Sequence, residues 1–166
     1  MNLTFRKATI DDLFEIQTLY KNVVAHMQSS GIDQWDEVYP TKDDFIQDIA
    51  RGEMTLCLSD GKVAAAFTVN TCADEEYFHN DWQYPDAKWC VVHRLCVSPH
   101  LQHSGIATQV MEYVEKTALS EGFEAIHLDT FSGNPKALAL YHKLGFADVG
   151  EAYWRKGRFI IMEKKL

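Results

Sequence analysis

Apolar and polar positions alternate in two registers along this chain, and the switches between a period of two and one of about 3.6 predict its elements. Residues 3–6 read as a short strand. Thr9 is placed to cap a helix, with Asp12 at its third position and Leu13, Ile16, Tyr20, Val23 and Met27 along one face as far as Gly31. Thr41 with Asp44 opens a second, shorter helix carrying Phe45 and Ile49, which Gly52 stops. Strands at 54–58 and 63–70 flank Ser59-Asp60-Gly61-Lys62, a hairpin signature because Asp-Gly tolerates positive φ. A long connection rich in acids and aromatics covers 71–87, a length that in compact domains marks a functional or mobile segment. The strongest strand pattern is 88–97, broken by Pro99. A helix follows from about Gly105 to Ser120, with Ala107, Val110, Met111, Val114 and Ala118 inward and Gly122 closing it. Residues 125–131 read as a strand. Asn134 caps a helix that starts on Pro135 and ends at Leu144-Gly145, and residues 146–154 and 158–163 form a last hairpin. The order β-α-α-β-β-β-α-β-α-β-β predicts a mixed α/β (α+β) domain with helices on both faces of one sheet.

Composition narrows the function classes. The chain has 166 residues, which fits one domain over 1–166. Its net charge of −8 disfavours nucleic acid and anionic membranes as partners, since both want a basic surface. The longest apolar run is Val63 to Phe67, too short for a bilayer, and the first residues lack the order of a signal peptide. The expectation is a soluble cytoplasmic protein. Cys57, Cys72, Cys90 and Cys96 show no CxxC spacing and lie in or beside apolar runs, so buried reduced thiols are expected. His100 and His103 are the one close histidine pair, with no acidic or sulfur ligand beside them, and no metal site is expected.

From Ala87 to Met111 the chain carries no Asp or Glu, although acids outnumber bases overall. The same stretch holds Lys88, His93, Arg94, His100 and His103. At its centre a strand end turns through Ser98-Pro99-His100-Leu101-Gln102-His103-Ser104-Gly105 into a helix start. The first N–H groups of a helix lack internal partners and sit at the positive end of its dipole. With Gly105 and a small residue at 107, that corner suits a phosphate or pyrophosphate. A plain strand–turn–helix corner is the other reading.

Leu95-Cys96-Val97-Ser98-Pro99 followed by Gln102-His103-Ser104-Gly105-Ile106-Ala107 resembles the acyl-CoA signature of the GNAT superfamily of N-acetyltransferases, Gln/Arg-x-x-Gly-x-Gly/Ala. Asn134-Pro135-Lys136-Ala137-Leu138-Ala139-Leu140-Tyr141-His142-Lys143-Leu144-Gly145-Phe146 resembles the family's second signature, Asn-x-x-Ala-x-x-x-Tyr-x-x-x-Gly-Phe. The resemblance implies a mostly antiparallel central sheet of about seven strands and acetyl-CoA as co-substrate, with no metal. It implies that the main chain of Leu95, Cys96 and Val97 pairs with the pantetheine arm. Backbone N–H groups from His103, Ser104, Gly105, Ile106, Ala107 and Thr108 would hold the pyrophosphate, and Gln102 would shape the turn. Asn134 would bond the pantetheine arm, and Tyr141 would lie near the sulfur. The family often carries Lys or Arg in this loop, whereas His103 and Ser104 stand here. Acetyl-CoA binding is therefore expected to be tighter at pH 6 than at pH 8, because histidine ordinarily titrates between them. Homodimers are common among proteins of this kind.

Acetyl transfer to an amine needs a neutral nucleophile, donors for the developing oxyanion and a proton for the departing thiolate. Tyr141 is the candidate general acid; as a bare sequence position it also reads as a core aromatic. Asp129, the only acid between Ala125 and Ala147, is the candidate base or an anchor for the acceptor's ammonium. The alternative is a strand-end carboxylate bonded to the turn at Ser132-Gly133. His93, two residues from Leu95 and so on its strand face, is the rival base or a satisfied core histidine. Cys96 as an acyl carrier lacks any base-and-orienter arrangement in the sequence. Trp35 and Tyr39, between the first two helices, form an apolar or cation–π wall for the acceptor, or Trp35 plugs the core. With Asp33, Asp36 and Glu37 beside them, a cationic small-molecule or peptide amine is the expected acceptor. The competing function is an acyl-CoA-binding sensor or partner-binding module without catalysis.

Overall fold

Thr9 and Thr41 begin the first two helices with the same reciprocal bonding. The Asp12 carboxylate accepts from the Thr9 backbone N–H at 2.7 Å and the Asp44 carboxylate from that of Thr41 at 2.6 Å, each satisfying a donor that the helix leaves unpaired. After Thr9 the first turn is a 3-10 turn, Ile10–Asp12, and α1 follows as Leu13–Ser29. The Arg6 guanidinium clasps Asp12 at 2.7 and 2.8 Å and holds its carboxyl well below the usual range. In this computed structural model, which describes residues 2–166, seven strands, β1 (Leu3–Lys7), β2 (Met54–Ser59), β3 (Lys62–Asn70), β4 (Trp89–Val97), β5 (Ala125–Phe131), β6 (Ala147–Trp154) and β7 (Gly157–Lys165), form one mixed, mostly antiparallel sheet ordered β1-β2-β3-β4-β5-β7-β6. The remaining helices are α2 (Lys42–Ala50), α3 (Ile106–Ser120) and α4 (Pro135–Lys143). The fold is the mixed α/β architecture expected from the sequence.

The chain divides into two compact units: residues up to Val69 with Arg94–Val110, and Asn70–His93 with Met111–Leu166. In the first, β1 pairs antiparallel with β2 from Leu3↔Ser59 to Lys7↔Thr55. The β2–β3 hairpin turns on Asp60 and Gly61, at φ 49° and 81°, as the Asp-Gly pair predicts. Its core joins Ile16, Leu19, Tyr20 and Val23 of α1, Phe45 of α2, Trp35 of the connection, and Met54, Leu56, Ala66 and Cys96 of the strands. Each large apolar side chain buried there stabilises the fold by about 1.5–3 kcal/mol.

In the second unit β5 is the spine. It pairs antiparallel with β7 over its whole length, Ala125↔Lys165 to Phe131↔Phe159, but parallel with β4 only from Trp89↔Ala125 to Val91↔His127. The connection at 71–87 contains a 3-10 turn, Glu75–His79, and is tied down along its length. The Asp81 N–H donates to the Val149 carbonyl at 2.9 Å, the Gln83 N–H to Glu163 Oε2 at 2.8 Å, and Trp82 Nε1–H to the Tyr77 carbonyl at 2.9 Å. Tyr77 packs with Val91, Val149, Ala152 and Ile161, with Trp82, Trp89 and Trp154 against them. Asn80 rests on Gly150, where a Cβ would stand 1.9 Å from Asn80 Oδ1, so glycine is needed for that approach.

Two expectations fail in detail. Cys72 is exposed while the other three thiols are buried, because it lies in the connection rather than in a strand. Ala107 is only half-buried, and Ile106, one turn before Val110, takes its place in the core because the helix starts at 106. Among the described residues no helix is long and apolar enough to cross a membrane.

Candidate active site

The corner after β4 is built by three unusual backbone positions. Arg94 interrupts the strand at φ 51°, a conformation costly for a side chain with a Cβ. Three contacts hold it there. Tyr20 Oη donates to the Arg94 carbonyl at 2.5 Å, and the guanidinium grips Asp48 at 2.6, 2.7 and 3.0 Å and donates to Tyr39 Oη at 2.9 Å. Burial would lower the Arg94 pKa, but Tyr39 and Asp48 outweigh it and raise it. Because Arg94 breaks the pleat, the alternation that assigned His93 to the Leu95 face does not run through it.

Beyond Arg94, Leu95 and Val97 are half-buried and Cys96 is buried. The Ser98 N–H donates to the Ala64 carbonyl at 2.8 Å, anchoring the strand's end, and a 3-10 turn, Pro99–Leu101, follows. Gln102 is extended. His103 at φ 64° and Gly105 at φ 82° then reverse the chain, and Ser104 Oγ bonds back to the Leu101 carbonyl. Residues 103–105 are exposed, the missing Cβ of Gly105 faces open space, and α3 begins at Ile106 with Ala107 and Thr108 half-buried. Free amides of a helix's first turn behind a left-handed glycine fit a diphosphate. Burial pushes the Cys96 thiol up to about 12, so it is no thiolate nucleophile at neutral pH.

In the second unit β5 and α4 bring two of the expected groups together. Tyr141, buried in α4, meets Phe146 edge-on at 5.7 Å, and burial followed by the charge of Asp129 raises its phenol pKa well above the ordinary value. Asp129 itself accepts a hydrogen bond from Tyr77 Oη at 2.5 Å on its Oδ2. Asn134 is buried, and its Oδ1 caps α4 by accepting from the Ala137 N–H at 3.2 Å. His93 Nε2 lies 2.9 Å from Asn70 Oδ1 and 3.0 Å from the Cys72 carbonyl, two acceptors that put the proton on Nε2. Further along the same face of β5, His127 is stacked on Trp82 at 3.7 Å and on Trp89 at 5.2 Å. Burial lowers its pKa to about 4, so it bonds Glu163 Oε1 at 3.3 Å as a neutral ring.

Trp35 is 6% exposed and packs on Tyr20, the core position that was one of its two readings. Tyr39 is 38% exposed and takes the Arg94 bond described above. Asp36 shapes the same loop by accepting from the Val38 and Tyr39 N–H groups at 2.9 and 3.3 Å. Tyr77 and the Asp48 partner of Arg94 were not singled out from the sequence; an aromatic in a long connection and an acid on a short helix carry no pairing signal. Among the described residues no group of three or more His, Cys, Asp or Glu is arranged to hold a metal.

Three comparisons with known proteins bear on this arrangement. The sequence model of the acetyltransferase (GNAT) family matches residues 11–146. Comparison with curated proteins finds no match. Among solved structures, the chain is similar to a GNAT-family acetyltransferase from Streptococcus agalactiae (TM-score 0.87, 22% identity, covering 99% of this chain and 95% of that one). It is also similar to one from Listeria monocytogenes (TM-score 0.79, 22% identity, 99% and 95%). A third is the PaiA N-acetyltransferase from Thermoplasma acidophilum, solved in complex with coenzyme A (TM-score 0.74, 19% identity, 100% of both chains). At these identities the likeness to each solved structure is one of fold.

Proposed function

Because the chain belongs to the GNAT acetyltransferase family, we propose that it moves an acetyl group from acetyl-CoA directly to a primary amine of a small molecule or peptide. The observation that carries this reading is the corner from Leu95 to Thr108, where left-handed His103 and Gly105 present helix-start amides within an acid-free stretch. The coenzyme A held by the Thermoplasma acidophilum protein supports the same assignment. Amides of residues 103–108 hold the diphosphate, and the main chain of Leu95, Cys96 and Val97 pairs with the pantetheine arm. Gln102 shapes the turn, and Asn134 bonds the arm. The bound co-substrate supplies an activated thioester.

The remaining work falls to side chains. Asp129 takes the proton of the incoming ammonium, directly or through a water, and leaves a neutral amine. Tyr141 keeps its own proton throughout the neutral range and donates its O–H to the departing sulfur, stabilising negative charge there. His93, with its proton on Nε2, orders the Asn70–Cys72 segment and is the second candidate base. Asp33, Asp36, Glu37 and the exposed face of Tyr39 favour a cationic acceptor.

Two measurements test the reading. Calorimetric titration with coenzyme A should show binding that Gly105→Val weakens at least tenfold, since valine strains the left-handed turn. Thiol release from acetyl-CoA with polyamines, aminoglycosides, amino acids and peptide N-termini should identify an acceptor. No binding at millimolar coenzyme A overturns the proposal, and binding without turnover of any amine marks a sensor instead.

A further inference from the structure

The connection at 71–87 reaches the candidate base through the Tyr77 hydroxyl. Tyr77 is 3% exposed, its ring lies 6.2 Å from Trp82 and 6.4 Å from Trp154, and its hydroxyl donates to Asp129 Oδ2 at 2.5 Å. A phenol fixed by two neighbouring rings has little freedom, so the carboxylate it bonds is held in one orientation. We propose that Tyr77 is a positioning residue for acetyl transfer, fixing the Asp129 carboxylate in the pose from which it takes the acceptor's proton. This rests on the reading of Asp129 as base.

The surroundings of Asp129 make the bond consequential. From α4, Tyr141 is close enough to feel the Asp129 charge. From β7 the register partner is Ile161, which is apolar and fully buried. From β4, which pairs with β5 only as far as Val91↔His127, the next titratable group beyond the paired stretch is His93, engaged by Asn70 and Cys72. On β5 itself the neighbour on the same face is His127, neutral by burial. The hydroxyl of Tyr77 donates to this carboxylate and so favours its ionised form. That bond aims the carboxylate, and losing it removes a donor to the ionised form.

The test uses Tyr77→Phe, which keeps the ring packing, alongside Asp129→Asn. The side-chain carboxyl of Asp129 is titrated by carbon-13 NMR in wild type and Tyr77→Phe. Acetyl transfer to spermidine as the probe amine is followed by thiol release across pH. The expected result is a midpoint about one pH unit higher in Tyr77→Phe, with the acid limb of kcat/KM moved by the same amount and the KM for acetyl-CoA unchanged. An unmoved midpoint overturns the proposal, and where spermidine is not turned over the midpoint decides alone. If Tyr77→Phe does not fold, 3-fluorotyrosine at 77 replaces it; as a stronger donor on the same ring it should lower the midpoint, and no change again refutes the idea. Asp129→Asn separates the two levels. If it leaves kcat untouched, the base assignment falls and the proposal with it. If it slows kcat while Tyr77→Phe keeps the wild-type pH profile, only the positioning role falls.

Discussion

Removing the Asp48 carboxylate should cost more than any other single change at the candidate co-substrate strand, because Arg94 depends on it. The two side chains are 5% and 13% exposed, and the guanidinium makes bonds of 2.6, 2.7 and 3.0 Å to one carboxylate. Thr68 Oγ1 adds a fourth donor to it at 2.7 Å. Asp48→Ala leaves a buried cation with the Tyr39 hydroxyl, and a broken buried pair typically costs about 3–5 kcal/mol. For a chain of this length about 2–4 °C of Tm is lost per kcal/mol, so thermal unfolding followed by circular dichroism should fall by roughly 6–20 °C. Arg94→Met removes the cation instead and leaves the carboxylate its Thr68 bond. The double variant has no buried charge left, so its loss should fall short of the summed single losses by about 1–3 kcal/mol. Coenzyme A affinity should weaken in both single variants, since Arg94 also sets the left-handed bend that leads into Leu95–Val97. Losses that add to within about 0.5 kcal/mol would show that the pair is not coupled, and the account of the bend would fail with it.

Other consequences follow from particular groups. His127 has its pKa lowered from 6.5 to about 4, so the unfolded chain binds more protons between those values. Stability is then complete above pH 6.5 and declines toward pH 4 by about 3 kcal/mol, and urea unfolding of His127→Gln should show a correspondingly flatter profile over that window. Tyr141→Phe should lower kcat about a hundredfold while the KM for acetyl-CoA stays within twofold, as measured by steady-state thiol release. Gly150→Ala must displace Asn80, whose amide bonds the Glu76 and Tyr77 carbonyls at 2.7 and 3.0 Å. A stability loss of about 1–3 kcal/mol in urea unfolding is expected; an unchanged midpoint would mean Asn80 has another place to go.

What the sequence revealed is sorted by distance along the chain. Thr9 with Asp12, Thr41 with Asp44, Asp60-Gly61 and Asn134-Pro135 all act on residues within one turn, so their effect is written where they stand. The shape of the Gln102–Ala107 corner is legible for the same reason, since a left-handed turn and a helix start are local features; the diphosphate role proposed for it rests on main-chain amides. Arg94 with Asp48 joins residues 46 apart, and Tyr77 with Asp129 joins residues 52 apart. No local pattern announces either pair, since which acid an arginine meets is decided by how β4 and α2 pack. Trp35 shows the limit from the other side, because one aromatic in a connection is spelled the same whether it plugs a core or lines a site.

The connection at 71–87 is where this limit matters for function. Its length, with acids and aromatics in no period, reads as a functional or mobile segment. The fold turns the same composition into an anchored wall, because its main-chain donors find fixed acceptors. The Val149 carbonyl takes the Asp81 N–H, and the buried Glu163 carboxylate takes that of Gln83 and also meets His127. Glu163 faces His127 across the β5–β7 register, so the carboxylate that pins the connection belongs to the ladder of the strand that carries Asp129. Tyr77 is thereby tied to the β5–β7 ladder at two points, to β5 through its own hydroxyl and to β7 through the segment that follows it. A residue with that double constraint can set the direction of a carboxylate, whereas a tyrosine on a free lid could not.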